Sequence, residues 1–129
     1  MNRAKQRDWV FKLIFENQIK NIDDIDQAFI NHEIDLNKDS FLYKSLKSYI
    51  ENYDNLENII AEQIGKKSLQ RMAKVDRSIL FLSVNEMENL DIPISVSINE
   101  AVNIAKEYST SDGYKFINSV LGKIAEKRK

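Results

Sequence analysis

The chain contains very few residues that interrupt helices, with three glycines and one proline among 129 residues. Sandwiches and barrels need turn residues at intervals of roughly 8–12 positions, so this scarcity argues against an all-β fold. Apolar residues recur instead at steps of three and four, which is the spacing of helices that bury one face. The sequence therefore predicts an all-α protein, a compact bundle of six or seven helices with no strand.

The length and the missing residue types narrow the class further. A chain of 129 residues fits one domain, here 1–129. The absence of cysteine excludes disulfides, thiol catalysis and cysteine-ligated zinc. No apolar run approaches the roughly 18 residues of a membrane span, and the first ten residues lack the apolar core of a signal peptide. We therefore expect a cytoplasmic protein that does not contact a membrane.

Capping and periodicity signals divide the chain into the predicted helices. Gly65 follows the longest segment, in the position where a left-handed residue ends a helix. The segment that Asp76 caps is apolar nearly all round, which is typical of a central buried helix. Ser97 and Glu100 have the spacing of a capping box at a helix start. The predicted segments are about 3–19, about 24–32, from Asn37 or Asp39 to Ile64, a turn at Leu69–Ala73, Asp76–Glu88, Ser97–Ser109, and a last helix that Ser111 or Asp112 caps.

The net charge of −1 is a cancellation between segments of opposite sign. Residues 1–20 carry five basic and two acidic side chains, and residues 65–129 carry eleven basic and eight acidic ones. Residues 21–64 carry three basic and ten acidic side chains. Basic ends around an acidic middle are a reason to look for an anionic partner.

The residues offer little support for catalysis. His32 is the only histidine and has no second metal ligand four residues away, so a surface or capping role fits it better than a metal or base role. The acidic cluster at 23–26 fits no calcium-loop pattern and more simply marks a helix start. No phosphate-binding loop or nucleophile elbow is present. We expect no catalytic residue, metal or cofactor.

Two kinds of binding remain open from composition alone. Basic side chains at the start of the chain and again at 66–77 are suited to a phosphate backbone, and Tyr114 and Phe116 to stacking on unpaired bases. The alternative is that the lysines form a solvated face and Phe116 belongs to the core. Phe15 and Phe81 favour instead a groove for a protein partner, unless the chain's own helices cover them.

The last third of the chain contains four elements in a fixed order: the Asp91–Pro93 turn, the run Ile98-Asn99-Glu100-Ala101, Lys106, and the run from Lys115 to Leu121. Together these elements resemble the signature of the NusB family of bacterial transcription antitermination factors. The segments 75–87 and 6–15 resemble the central and opening helices of that family. The order and spacing of these pieces together cover nearly the whole chain.

The resemblance implies an all-helical bundle of two subdomains and a role in RNA binding. NusB pairs with the ribosomal protein NusE, and the pair binds the single-stranded boxA element of ribosomal RNA leaders. The complex acts on the RNA polymerase elongation complex, which NusB meets only indirectly. A homodimer that hides the RNA surface is a further state implied for some members.

The resemblance also implies roles for individual residues. The RNA-facing positions are Arg3, Lys5, Arg7, Asp112, Lys115 and Phe116. Phe15 and Asp76 match positions that face NusE. The carboxylate of Asp112 is expected to repel phosphate and to lower RNA affinity. The signature residues Asn99, Glu100 and Asn118 are expected to serve as caps and in hydrogen bonds between helices.

Two other functions stay open beside antitermination. One is a NusB-like RNA-binding module related to the N-terminal domain of ribosomal RNA methyltransferases, and the other is a helical adaptor or dimer that needs no RNA. The chain also departs from the family pattern at Trp9, Phe81, Asn85 and Ser119. These departures bear on RNA contacts more than on the fold.

Overall fold

The computed structural model describes residues 1–128, and that range contains eight α-helices and no strand. The all-α prediction is confirmed, with one helix more than the upper expected number. No helix in the described range is long and apolar enough to span a membrane. The helices are α1 (Arg3–Ile19), α2 (Ile25–Asn31), α3 (Phe41–Glu51), α4 (Tyr53–Ile64), α5 (Lys66–Arg71), α6 (Lys74–Asn89), α7 (Ile94–Tyr108) and α8 (Ser111–Glu126).

The extra helix arises because the long segment predicted to end at Ile64 is broken at Asn52. The Asn52 side chain donates to the Ser48 carbonyl oxygen at 2.8 Å, and its backbone leaves helical geometry at φ −111° and ψ 15°. Asparagine competes with a helix in this way because its short amide bonds the nearby backbone. The start of α3 also differs from the prediction, since Ser40 caps it by accepting from the Tyr43 N–H at 3.0 Å.

The other helix ends test the capping predictions individually. Gly65 ends α4 with φ +91°, a conformation that favours glycine, as predicted. Asp76 is not a cap, because α6 begins two residues earlier and Asp76 lies in its first turn. Thr110, rather than Ser111 or Asp112, caps α8 by accepting from the Gly113 N–H at 2.9 Å.

The predicted capping box at Ser97 is wrong. Helix α7 starts at Ile94, directly after Pro93, so Ser97 already lies inside the helix. Its side chain is fully buried against α6, and its hydroxyl lies 2.9 Å from that of Ser83. Pro93 is the N-cap of this helix, where it has no N–H to leave unpaired and its carbonyl oxygen accepts from the Ser97 N–H at 3.0 Å.

Helix α6 is central, as its all-round apolar pattern predicts. It packs against α1, α3, α4, α7 and α8. Helices α1 and α3 pack on each other and on α6, with α2 against α3, while α4, α7 and α8 form a second group around α6. This division agrees with the expected pair of subdomains. Phe81 of α6 is fully buried and stacks on Tyr53 with ring centroids 5.0 Å apart, so it offers no partner surface.

Candidate nucleic-acid interface

The first turn of α1 presents two cations to solvent. Arg3 and Lys5 are exposed, and neither forms an ion pair within the described residues. The Arg3 guanidinium lies 4.1 Å from the centroid of the Phe41 ring, which orients it without neutralising it. Asn2 caps the helix through the Lys5 N–H at 2.8 Å. The N-terminal end of α1 is therefore available to an anionic ligand.

Arg7 lies in the same helix but is in the interior. Its side chain is 4% exposed and forms two hydrogen bonds to the Glu86 carboxylate, at 2.8 and 3.1 Å. A third nitrogen lies 3.8 Å from the Glu100 carboxylate. An RNA reaches this guanidinium only if the pair with Glu86 opens. Burial raises the pKa of Glu86 above its usual value, while the bonds from Arg7 lower it.

Two grooves connect this end of α1 with α8. The first, of about 370 Å³, lies between α1 and the start of α7 and includes Arg3, Pro93 and Val96. The second, of about 600 Å³, lies between α7 and α8 and includes Lys106 and Lys115. Glu100 lines both, so the grooves form one continuous surface. The basic start of the chain and its last helix are thus brought together by the fold.

The three predicted positions at the start of α8 are all exposed. Asp112 lies in the first turn, Lys115 forms no ion pair within the described range, and Phe116 is 45% exposed. The helix is held close to α6 at Gly113, because a Cβ there would lie 3.2 Å from an Asp76 carboxylate oxygen and 2.0 Å from the Ser109 hydroxyl. An exposed aromatic ring beside a free lysine suits contact with an unpaired base.

The two predicted partner positions do not line these grooves, although Asp76 lies against the start of α8 at Gly113. Phe15 is half-buried on α1, one turn beyond the buried Phe11. Asp76 is half-buried at the start of α6, and its carboxylate accepts from the Ser109 hydroxyl. Asp76 therefore links α6 to the segment between α7 and α8, whether or not a partner protein is bound.

The second basic group of the sequence lies at the far end of α6. Gln18 of α1 bonds the Lys74 carbonyl oxygen at 3.2 Å while Arg7 bonds Glu86, so α1 and α6 run antiparallel. Sixteen residues of helix, about 24 Å, separate the two ends. Arg77 of this group is committed internally, to Tyr53 at 2.8 Å and to Glu57 at 3.1 Å.

The remaining titratable candidates have structural partners. His32 is the C-cap of α2, contacts the Glu16 carboxylate at 3.1 Å and packs on Trp9 with centroids 5.4 Å apart. Asp24 caps α2 by accepting from the Gln27 N–H at 3.1 Å. Within the described residues, no group of three His, Cys, Asp or Glu is placed to hold a metal.

The structure corrects the roles expected for the signature polar residues. Asn99 and Asn118 are exposed, and in residues 1–128 their side chains form neither a cap nor an inter-helix hydrogen bond. Glu100 is not a cap either but approaches Arg7. The α7–α8 groove was not predicted from the sequence, because its walls come from two different helices. The only local signal was the spacing of Asn99, Asn103 and Lys106, which places these residues on one face of a helix.

Comparisons with known sequences all indicate the same family. A sequence model of the NusB family matches residues 4–126. The transcription antitermination protein NusB of Pseudothermotoga lettingae is 39% identical over 129 residues, covering 96% of this chain and 91% of the relative. The Bacillus pumilus protein of the same name is 36% identical over 126 residues, covering 96% and 95%.

Solved structures agree with the arrangement of helices. NusB of T. maritima has a TM-score of 0.85 and 31% identity, covering 98% of this chain and 92% of that chain. A structure of the antitermination factors NusB and NusE in complex with dsRNA has a TM-score of 0.79 and 20% identity, covering 98% and 99%. At the lower identity the likeness shows the fold alone.

Proposed function

Since the chain belongs to the NusB family, we propose that it is a transcription antitermination factor that binds the boxA element of ribosomal RNA leaders together with NusE. The observation that carries the proposal is the continuous surface from the start of α1 to α8. The free cations Arg3 and Lys115 line this surface, and the exposed side chains of Lys5 and Phe116 lie within two residues of them on α1 and α8.

The chemistry of this surface suits single-stranded RNA. Free lysine and arginine side chains release counterions from the phosphate backbone, which supplies affinity that falls with salt. Phe116 offers a face on which an unpaired base stacks. Arg7 has a positioning role in this proposal, because its bonds to Glu86 fix α1 against α6 and so set the direction of Arg3 and Lys5.

Partner binding is assigned to two residues that line neither groove. We place NusE against Phe15 and Asp76, on the evidence that Phe15 keeps apolar surface exposed beside buried Phe11. The factor acts without catalysing a reaction, in the cytoplasm where transcripts form, and reaches RNA polymerase only through this complex.

The test is RNA affinity with and without NusE across a salt series. We expect a ternary complex with boxA RNA that is tighter than either pair, with an affinity that falls steeply as salt rises. The double variant Arg3→Ala/Lys5→Ala should weaken binding and flatten the salt dependence by about 1.4 units of slope, since each of the two single-strand phosphate contacts contributes about 0.7.

A matched control is Lys20→Ala/Lys67→Ala, which removes two exposed lysines at the opposite end of the α1–α6 pair from Arg3, the first directly after α1 and the second in α5. It should leave the salt slope unchanged. Equal weakening by the two double variants would refute the assignment of the site. Tight complexes with no salt dependence and no protection of RNA would support an RNA-independent adaptor instead.

A further inference from the structure

We propose that the α7–α8 groove holds one unpaired nucleobase of the bound RNA, and specifically a base with an exocyclic amino group. The inference rests on the proposed function and adds to it the site at which RNA sequence is read. The groove's volume of about 600 Å³ falls within the roughly 300–1,000 Å³ usual for small-ligand pockets.

Helical spacing aims polar side chains into the groove from both walls. On α7, Asn99, Asn103 and Lys106 are separated by four and three residues and so share one face. On α8, Tyr114 and Asn118 are four residues apart and share another. The side chains that line the groove therefore carry amides, cations and a phenol.

Three asparagine side chains in this groove have no hydrogen-bond partner among the described residues. Within residues 1–128, the side chains of Asn99, Asn103 and Asn118 form no hydrogen bond. At buried and half-buried positions the same residue type is engaged, as where Asn17 accepts from the Ile22 N–H at 2.8 Å and Asn85 donates to the Ser45 carbonyl oxygen at 3.1 Å. An amide offers a donor and an acceptor side by side, which matches the hydrogen-bonding edge of a base.

The groove also provides a ring and two cations. Tyr114 is half-buried, and the Lys106 ammonium lies 5.7 Å from its ring centroid. Tyr114 gives the base an apolar contact, while Lys106 and the exposed Lys115 meet the flanking phosphates. Phe116 does not line this groove, so it is free to contact a neighbouring nucleotide.

Glu100 determines which base fits. Its carboxylate repels phosphate, so the end of the groove beside it favours a hydrogen-bond donor. Arg7, 3.8 Å away, holds this carboxylate in position. Adenine, cytosine and guanine present an amino group as such a donor, whereas the only donor on the pairing edge of uracil is its ring N3–H, which is flanked by two carbonyl oxygens that a carboxylate repels. The groove should therefore discriminate against uracil at one position of the RNA.

The experiment is a scan in which each nucleotide of boxA RNA is replaced in turn by an abasic residue, measured with NusE present. We expect one position whose abasic form binds about tenfold more weakly, since an abasic residue loses both the ring contact and the hydrogen bonds of the base. Uracil at that position should weaken binding about fivefold, because it loses the bond to Glu100 but keeps the ring contact.

The variant Asn99→Ala/Asn118→Ala should bind unmodified RNA about tenfold more weakly and lose its sensitivity at that one position. The matched control is Asn58→Ala, an exposed asparagine within α4 whose side chain has no hydrogen bond in the described range. Alanine favours helix at all these positions, so unfolding does not account for a loss.

Parent-like affinity of the double asparagine variant, with weakening by Arg3→Ala/Lys5→Ala, would overturn the base site and leave the proposed function in place. A scan in which every position loses affinity equally would do the same. Failure of the parent protein to bind any boxA RNA in the presence of NusE would overturn the proposed function itself.

Discussion

Two polar regions of the molecule differ in whether their side chains already have partners. Where α1, α3 and α6 meet, the Gln6 amide oxygen accepts from the Leu42 N–H at 3.0 Å, Arg7 bonds Glu86, and Asn85 joins two residues of α3. The Ser45 hydroxyl is an exception, being buried without a partner in the described residues. In the α7–α8 groove, by contrast, three amides remain open to solvent.

This difference separates residues that hold the fold from residues that are free to bind. A buried polar group without a partner costs about 1–3 kcal/mol, so interior partners are a condition of stability. Exposed amides cost nothing while water solvates them, so the fold does not require them. Variants in the first region should therefore lower stability, and variants in the second should lower affinity alone.

The largest expected effect is that of Arg7→Met in the first region. This change keeps the apolar stem but leaves the Glu86 carboxylate buried without its cation. Breaking a buried pair in this way costs about 3–5 kcal/mol of the free energy of unfolding. Urea denaturation at neutral pH measures it, and a loss below 1 kcal/mol would show that Arg7 does not stabilise the interior.

The same variant should make stability more dependent on pH. Burial already raises the pKa of Glu86 in the folded protein, and loss of Arg7 raises it further. A folded state that holds its proton more tightly than the unfolded chain loses stability as pH rises from the ordinary glutamate range through the raised pKa. The deficit of Arg7→Met should accordingly be smaller at pH 5 than at pH 8.

A smaller loss is expected from Asn85→Ala. Asn85 accepts from the Ser48 hydroxyl at 2.9 Å and from the Asn89 amide at 2.9 Å, so its removal leaves groups between α3 and α6 unpaired. We expect a loss of about 1–3 kcal/mol in the free energy of unfolding, with RNA affinity unchanged. Altered affinity at full stability would contradict the separation of the two regions.

The sequence predicts some features of these two regions and not others. Helix α1 was predicted from 3 to 19 and is confirmed, because its cap and apolar spacing are local. The pairing of Arg7 with Glu86 was not predicted, because the two residues are 79 positions apart. In the sequence alone, a basic side chain near a chain terminus looks like one that is exposed to solvent. The asparagines of the groove were visible, but nothing local distinguishes an unpartnered amide from a cap.

Phe116→Ala tests an exposed aromatic side chain that lies next to the α7–α8 groove. Because the ring is 45% exposed, we expect little change in stability and a loss of about 1–3 kcal/mol in RNA binding. Phe116→Tyr is the control, since it keeps a stacking face. Titration of boxA RNA measures the effect. Should the alanine variant unfold more easily but bind RNA normally, Phe116 would belong with the interior residues.

The smallest effect, and the only gain, is expected from Asp112→Asn. Asp112 lies exposed in the first turn of α8, where a carboxylate interacts favourably with the helix dipole. Its removal should cost about 0.3–1 kcal/mol of stability and, by relieving repulsion of phosphate beside Lys115, tighten RNA binding a fewfold at low salt. The gain should fade as salt rises, because screening weakens the repulsion in the parent protein as well. A salt-independent gain would mean that the new amide forms a hydrogen bond with a base. Position 112 would then act like the unpartnered amides of the groove, and not through its charge.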